Sequence, residues 1–524
     1  MRWITTITSL LLLGQLGQLG QLGAVTLSDD FEGGALGRIT SEVMRGDTLC
    51  YTIQSRFDPR DPLDTLAHRN NRWFYFRLTG VRDRLISIGV DSTDVQRPVY
   101  SYNNSHFERF SEEEMPQLNG RFTKRYERDT AYIAYYTPYS ATRNEQQCER
   151  WSSSKNVAQF TLGTTASGVA IPALIITDRV HLGLIPDQNG AIEPTATDRQ
   201  KRVVYIHGRI HPSESPSSWH LEALIDKIIE DETGALSNTI FYVVPIINPE
   251  GVALGRSRTN RRGVNMEYNY NHEADETEPE VAAVKGLIEE LKRTGLEPSM
   301  LLNMHSQSTP KVAYWVHSAA STSPQHHRRN SLFAALTTAG NTHFAWRDVS
   351  HSHLKPYFLE GWVYRFLRGR AIALTYETPY SFYRQKSGAE WVNRENLTRQ
   401  ADHLYSAIVD LLGVGVRDRI FISEPVKAQG FKRFKDVDYL YFGDSALAAR
   451  SAGHTLTYCV DDLAAGNYRL FRWIVGRNAS SKGYETGCWE FVRVVSHGGG
   501  SLSIDLESAF AGELFDGVLL SAAQ

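Results

Sequence analysis

The stretch KRVVYIHGRIHPSESPSSWHLEALIDKII, residues 201–229, decides the fold class. Val203 to Ile206 is an apolar, β-branched run and reads as a buried strand. A polar loop follows. Then Trp219, Leu221, Leu224, Ile225, Ile228 and Ile229 recur at helical spacing as one core-facing stripe. The loop holds His211 and Glu214, separated by Pro212 and Ser213. An imidazole and a carboxylate three apart on a tight turn can grip one divalent metal ion from the same side.

Outward from this unit, apolar strands alternate with helices, the α/β pattern. The strands are RVVYI (202–206), TIFYVVPII (239–247), MLLNM (300–304) and AIALTY (371–376). A helix is expected from near Thr277, with Glu280 completing a capping box and Gly295 closing it. The last helix is expected over about Ala389 to Leu412, ending at Gly413. Residues with chemistry fall past the carboxyl ends of the strands: His211 and Glu214, then Arg258, then His305, then Glu377. In open α/β sheets the ligand crevice lies on that side. Any one of these alone would be an ordinary loop residue; the set is more specific.

The chemistry assigns roles. His211, Glu214 and His305 form a two-His, one-carboxylate set that leaves a position on zinc for water. Glu377 suits the general base, and Arg258 suits a stabiliser of the oxyanion. HPSE with the following SPSSW, VVPIINPEGVALGRSR, NMHSQS and TYE resemble the zinc carboxypeptidase family. Within it they are most similar to the cytosolic-carboxypeptidase branch, which includes tubulin deglutamylases. WFYFRL and AYYTPYS resemble that branch's N-terminal β domain, so the likeness runs over roughly residues 30–413. It implies one Zn2+ on His211, Glu214 and His305, with Arg258 on the oxyanion and Glu377 as base. It implies an α/β zinc-carboxypeptidase catalytic domain, a mixed sheet flanked by helices, between an N-terminal β-sandwich and a C-terminal all-β domain.

One departure stands out. Family members carry an Asn-Arg pair in a D-L-N-R-type run to hold the substrate's terminal carboxylate. Aligned on Gly263 and Val264, the run here is Asn265, Met266, Glu267, Tyr268. Glu267 and Tyr268 replace the pair, and a carboxylate there favours a cation or hydrogen-bond donor over a substrate carboxylate. Arg261 and Arg262 could substitute from a shifted position, or form a solvated basic turn. Tyr357, in a loop before the Glu377 strand, could lean over substrate.

The expected domains are a signal peptide (1–24), a β-sandwich (25–140), the catalytic domain (141–413) and a β domain (414–524). The first 24 residues have a basic start, a leucine-rich run and small residues at Gly23 and Ala24, suited to cleavage. Gly and Gln break that run, which counts against a membrane anchor and leaves no stable membrane insertion after cleavage. This points to a secreted or periplasmic protein. Residues 25–140 read as short aromatic and β-branched strands, and the C-terminal segment as RIFIS, YLYFG, TLTYCV, YRLFRWIV, CWEFVRVV and LSIDL. A net charge of −3 gives no case for nucleic acid as partner. Four cysteines, none in a close CxxC pair, argue against a thiolate zinc site. Cys459 with Cys488 and Cys50 with Cys148 are the candidate disulfides; free buried thiols are the alternative.

His207 and His211 are four apart, but Gly208 and Pro212 bar a zincin-type helix. His326, His327 and the HSH at 351–353 read as surface histidines in polar loops, and Trp362 as core. Asn103, Asn396 and Asn478 sit in sequons. The sequence thus predicts a zinc metallocarboxypeptidase acting on a peptide or protein substrate, with atypical recognition of the chain end. The alternative is a zinc amidohydrolase or deacylase acting on cell-wall or modified-terminus peptides. A third reading, zinc retained without chemistry, leaves recognition to the flanking domains.

Overall fold

The computed structural model describes residues 24–64, 67–91, 96–308, 313–343, 348–385, 388–415, 419–422, 425–434, 446–475, 488–511 and 513–522. The expected leader up to residue 23, the YLYFG run and the sequon at Asn478 lie outside the described residues.

The centre is an eight-stranded mixed sheet. Its strands are β1 (Val157–Thr164), β2 (Ala170–Ile176), β3 (Arg202–Gly208), β4 (Thr239–Val244), β5 (Pro298–Gln307), β6 (Ala313–His317), β7 (Ser350–Ser352) and β8 (Ile372–Pro379). They lie in the order β1-β2-β4-β3-β5-β8-β6-β7. β4, β3, β5 and β8 run parallel, while β1 and β2 form an antiparallel hairpin at one edge. The helices are α1 (Ala141–Trp151), α2 (Ser215–Ile229), α3 (Pro249–Ala253), α4 (Pro279–Arg293), α5 (Pro324–Thr338), α6 (Leu359–Phe366) and α7 (Arg394–Leu412).

Strand side chains alternate between faces, and the two cores follow that alternation. Val204, Ile206, Met300, Leu302 and Leu374 pack with α2, α5 and α7. Val203, Tyr205, Leu301 and Ala373 pack with α4 and α6. The parallel strands are buried on both sides, which is why they read as unbroken apolar runs.

Several expected boundaries move. The polar segment after residue 140 is α1, whose N-cap Ser140 accepts from Arg143 N–H. The last helix begins at Arg394, where Asn393 and Asn396 form a reciprocal cap; residues 388–391 are strand. It ends as expected at Gly413, in the left-handed region at φ 64°. α4 starts one residue late, with Glu278 at the N-cap, and the expected capping box is not formed. Thr277 Oγ1 instead donates to the carbonyls of His272 and Glu273.

Before the central unit, a five-stranded and a four-stranded sheet share one core that includes Ile53, Phe76, Leu78, Ile86, Ile88 and Ile133. After it, sheets of four, three and two strands follow. Trp489 Nε1–H donates to the Ala335 carbonyl of α5 at 2.9 Å, which ties this last region to the centre. Cys50, Cys148 and Cys459 are free thiols, so the Cys50–Cys148 pairing is absent. Cys459 Sγ lies 3.3 Å from Ser503 Oγ, and the Cys488 side chain is outside the described residues. Among the described residues no helix is long and apolar enough to cross a membrane.

Candidate active site

Strand register assembles the site. His305 on β5 pairs directly with Glu377 on β8, and two residues earlier Asn303 pairs with Thr375. On β3, His207 pairs with Asn303. Residues two apart share a face, so His207, Asn303, His305, Thr375 and Glu377 all project to the side covered by α6. His305 and Glu377 thus lie inside the strand ends, not just past them as the sequence suggested.

The HPSE loop is held from beneath by Arg209. This buried residue sits in the left-handed region at φ 60°. Its guanidinium donates to the Pro212 carbonyl, to Ser218 Oγ and to the Tyr139 carbonyl. Glu214 occupies the N-cap position of α2 without capping it, because its carboxylate is engaged elsewhere. Glu214 Oε1 is 2.9 Å from His211 Nδ1, and Oε2 is 2.9 Å from His305 Nδ1. Ser306 N–H also donates to Oε2 at 3.0 Å, while Ser306 Oγ accepts from Ser217 N–H and so serves the helix start.

All three groups are buried. Burial, then Arg258, pushes His211 down to about 4. Burial works against the charge of Glu214, but His211 and His305 hold its carboxyl well below the usual range. Burial also opposes charge on His305, yet Glu267 and Glu214 outweigh it and raise that imidazole well above its ordinary value. A cation on Nδ1 would take the place of that proton. Two imidazoles, each within hydrogen-bond distance of one oxygen of the same buried carboxylate, are the donor types zinc prefers. Glu377 Oε2, Glu267 Oε2 and His305 Nε2 are buried with no hydrogen-bond partner among the described residues. These residues fit one zinc ion, which His211, Glu214 and His305 would hold.

Glu377 is pushed up to about 7, first by burial, with His305 opposing and Glu214 adding to the rise. Trp315 Nε1–H donates to its Oε1 at 3.2 Å. Arg258 shares a cavity of about 390 Å³ with His211, Glu214, His305 and Glu377. Its backbone is fixed from the N-terminal region. Asp58 accepts from the N–H groups of Ser257 (2.8 Å), Arg258 (2.7 Å) and Thr259 (3.0 Å).

The other expected site residues divide. Tyr357 lines this cavity and the adjoining one of about 680 Å³. Tyr268 is half-exposed, stacks on Phe358 at 5.6 Å and lies beneath the Arg258 guanidinium. Glu267 is buried and faces His305 Nε2 at 3.2 Å, so its carboxylate is turned to that imidazole. Arg261 and Arg262 do not line the metal cavity: they pair with Glu250 at 3.3 Å and Glu278 at 3.2 Å, outside it. The expectation that either replaces the missing arginine is therefore corrected. Among the described residues, the cavity's other lysine and arginine are Arg72, which lies over the Tyr380 ring, and the exposed Lys355.

His326 and His327 are buried on α5 rather than exposed in a loop. His351 is part of β7, and His353 lines the cavity. Four contributors escape the sequence reading: Asp58, Asn265, Ser306 and Trp315. Asn265 Oδ1 lies 3.2 Å from His211 Nε2; it opens the Asn265–Tyr268 run, in which the sequence assigns roles only to Glu267 and Tyr268. Asp58 and Trp315 carry no motif that would have marked them.

A mixed sheet bearing a two-His, one-carboxylate cage at its edge, with a carboxylate in register beside it, defines a metallohydrolase type of centre. Residues 150–353 match the zinc carboxypeptidase family model. That stretch holds His211, Glu214, Arg258 and His305 and stops short of Glu377. An uncharacterised protein of Zymomonas mobilis is 24% identical over 46% of this chain and 60% of its own length. Human cytosolic carboxypeptidase 1 is 23% identical over 54% of this chain and 26% of its own. The chain thus spans less than two thirds of these relatives. Among solved structures, a metallo-carboxypeptidase from Burkholderia cenocepacia has a TM-score of 0.57 at 20% identity, covering 75% of this chain and 99% of its own. One from Pseudomonas aeruginosa has the same score and identity over 73% and 98%. Residues 150–353 thus carry the zinc carboxypeptidase match, with sequence similarity to the cytosolic carboxypeptidases and the fold of the bacterial metallocarboxypeptidases.

Proposed function

We propose that this chain hydrolyses an amide bond at or near a peptide C-terminus, as a zinc metallocarboxypeptidase with its own means of holding the chain end. The observation that carries this reading is the convergence of His211, Glu214 and His305 with Glu377 in register and Arg258 across one cavity. Zinc, when bound, supplies a Lewis acid and an activated water. Glu377 takes a proton from the attacking water at its carboxylate and passes it to the leaving amine. Its raised carboxyl suits both halves of that exchange near neutral pH. Trp315 fixes its orientation by donating to Oε1. Arg258 offers a fixed positive charge to the oxyanion that develops at the former carbonyl oxygen.

With Glu267 turned to His305, and Arg261 and Arg262 paired outside the cavity, Lys355 is a described cation of the cavity suited to meet a terminal carboxylate. The leader-like first residues support a reaction outside the cytoplasm. A second reading rests on the same replacement: a zinc amidohydrolase or deacylase acting on cell-wall or modified-terminus peptides.

The test is a product-mass assay on matched free-acid, amidated and glutamate-branched peptides, with a chelator control and the Glu377→Gln variant. Chelator-sensitive loss of single residues from free acids, with Glu377→Gln retaining zinc but not turnover, is the expected result. Cleavage only of blocked or modified termini would transfer the site to the second reading. Near-full activity of Glu377→Gln would remove the assignment of the base.

A further inference from the structure

We infer that Glu267 is a positioning residue for the metal: its carboxylate orients the ligand His305 and does not receive substrate. The inference rests on the proposed assignment of His211, Glu214 and His305 as ligands. His305 Nδ1 faces Glu214 Oε2 at 2.9 Å; with that nitrogen given to a metal, the ring's remaining proton would sit on Nε2. Glu267 Oε2 faces that nitrogen at 3.2 Å. A carboxylate behind a metal-bound imidazole fixes its tautomer and ring angle and raises its donor strength.

Glu267 is in turn held by buried polar groups that follow strand register. Tyr205 OH lies 3.0 Å from His207 Nδ1, and His207 Nε2 lies 2.8 Å from Asn303 Oδ1. Burial pushes His207 down to about 4, so the ring is neutral. The tautomer that satisfies both contacts accepts from Tyr205 and donates to Asn303. The Asn303 amide then turns its NH2 to Glu267 Oε1 at 3.4 Å and to Glu360 Oε1 at 3.2 Å. Thr375 Oγ1–H fixes Glu360 at 2.8 Å. Every donor in this row is aimed toward the carboxylates. Asn303 thus donates to Oε1 of Glu267, and Oε2 faces the His305 Nε2 donor at 3.2 Å, short of hydrogen-bond alignment. A glutamine offers one acceptor oxygen for those two donors.

This accounts for a carboxylate where the family pattern places the substrate-anchoring Asn. A group 4% exposed, flanked by a metal ligand and an amide, is poorly placed to reach a chain end in the open part of the cavity. On the other ligand the partner is neutral: His211 Nε2 meets Asn265 Oδ1. The anionic support of this cage falls on the His305 side.

The experiment measures zinc affinity by competition with a chromophoric chelator, for the wild type, His305→Ala, Glu267→Gln and Glu267→Asp. Visible spectra of the Co2+-substituted proteins are read alongside. Expected are one high-affinity zinc in the wild type, its loss in His305→Ala, and weakening by about 10- to 100-fold in Glu267→Gln. Glu267→Asp should recover part of that affinity, and the Co2+ bands of Glu267→Gln should shift while far-UV circular dichroism is unchanged. Wild-type zinc affinity and Co2+ bands in Glu267→Gln overturn the inference, as does an effect confined to KM. Zinc binding that is absent from the wild type or survives His305→Ala would instead defeat the ligand assignment beneath it.

Discussion

Glu377 and Trp315 show how one contact can set a working pH. Burial raises the Glu377 carboxyl to about 7, and the Trp315 indole N–H favours its ionised form. A general base acts only when deprotonated, so kcat/KM should rise with pH through the Glu377 titration and level off above it. A nearby dication also favours the carboxylate and places the midpoint below about 7. Removing the indole donor reverses part of this. A hydrogen bond to a charged group is worth about 1.5 kcal/mol or more, and 1.36 kcal/mol is about one pKa unit. Trp315→Phe should therefore move the acid limb upward by about one pH unit, with zinc content unchanged. A pH–rate profile of the two proteins decides it, and superimposable limbs would exclude the contact as a determinant.

At the scale of elements, α4 shows where a local motif gives way to packing. Thr277 and Glu280 have capping-box spacing, yet the helix begins at Pro279 and the Glu280 carboxyl is buried with Oε2 unpartnered among the described residues. Burial lifts it to about 7; its own backbone N–H and Arg262 favour the charge without restoring it, and Glu278 and Glu250 oppose. The folded value lies above the unfolded one, so this acid's contribution is full below about 4.5 and is lost as pH rises through about 7. That interval corresponds to at most roughly 3 kcal/mol. Glu280→Gln should then gain stability relative to wild type at pH 8, and much less at pH 5. Denaturant melts at the two pH values measure the difference, and an equal effect at both would refute it. The elements that could be read from sequence were those with apolar runs or periodicity, β3, β4, β5, β8, α2, α4 and α7, the two last with shifted starts. α5 could not, because its buried face includes His326, His327, Asn330, Ser331, Thr337 and Thr338, and a polar buried face has no hydrophobic stripe. α1 was concealed in the same way, with Asn144, Cys148 and Trp151 as its buried residues.

Across the whole molecule, the N-terminal region is a working part of the site and not only a neighbour. Arg56 donates to the carbonyls of Gly34, Leu254 and Gly255, Trp73 N–H donates to Ser257 Oγ, and Asp61 accepts from Asn265 N–H. Asp58 completes the clamp through three backbone bonds at residues 257–259. The ligand pair His211 and Glu214 was legible because one turn carries both. Arg258 was legible only as a residue, since what places it lies 200 positions earlier, in the loop after the strand Thr48–Gln54. Asn at position 58 keeps the shape of Asp but has one acceptor oxygen. Whichever oxygen becomes NH2 then confronts at least one N–H donor, and a buried unmatched donor costs about 1–3 kcal/mol. The 257–259 segment should relax away from Asp58→Asn and carry the Arg258 guanidinium off the oxyanion position. A displacement of about 1 Å in a catalytic group can cost on the order of 100-fold in rate. Asp58→Asn should therefore lower kcat by about 10- to 100-fold while zinc stoichiometry and the acid limb of the pH profile stay as in wild type. Arg258→Ala in the Asp58→Asn background should add little further loss, because the two changes remove the same interaction. Fully multiplicative losses in that double-mutant cycle would mean that Asp58 supports the fold alone and leaves Arg258 to be placed by the catalytic domain itself.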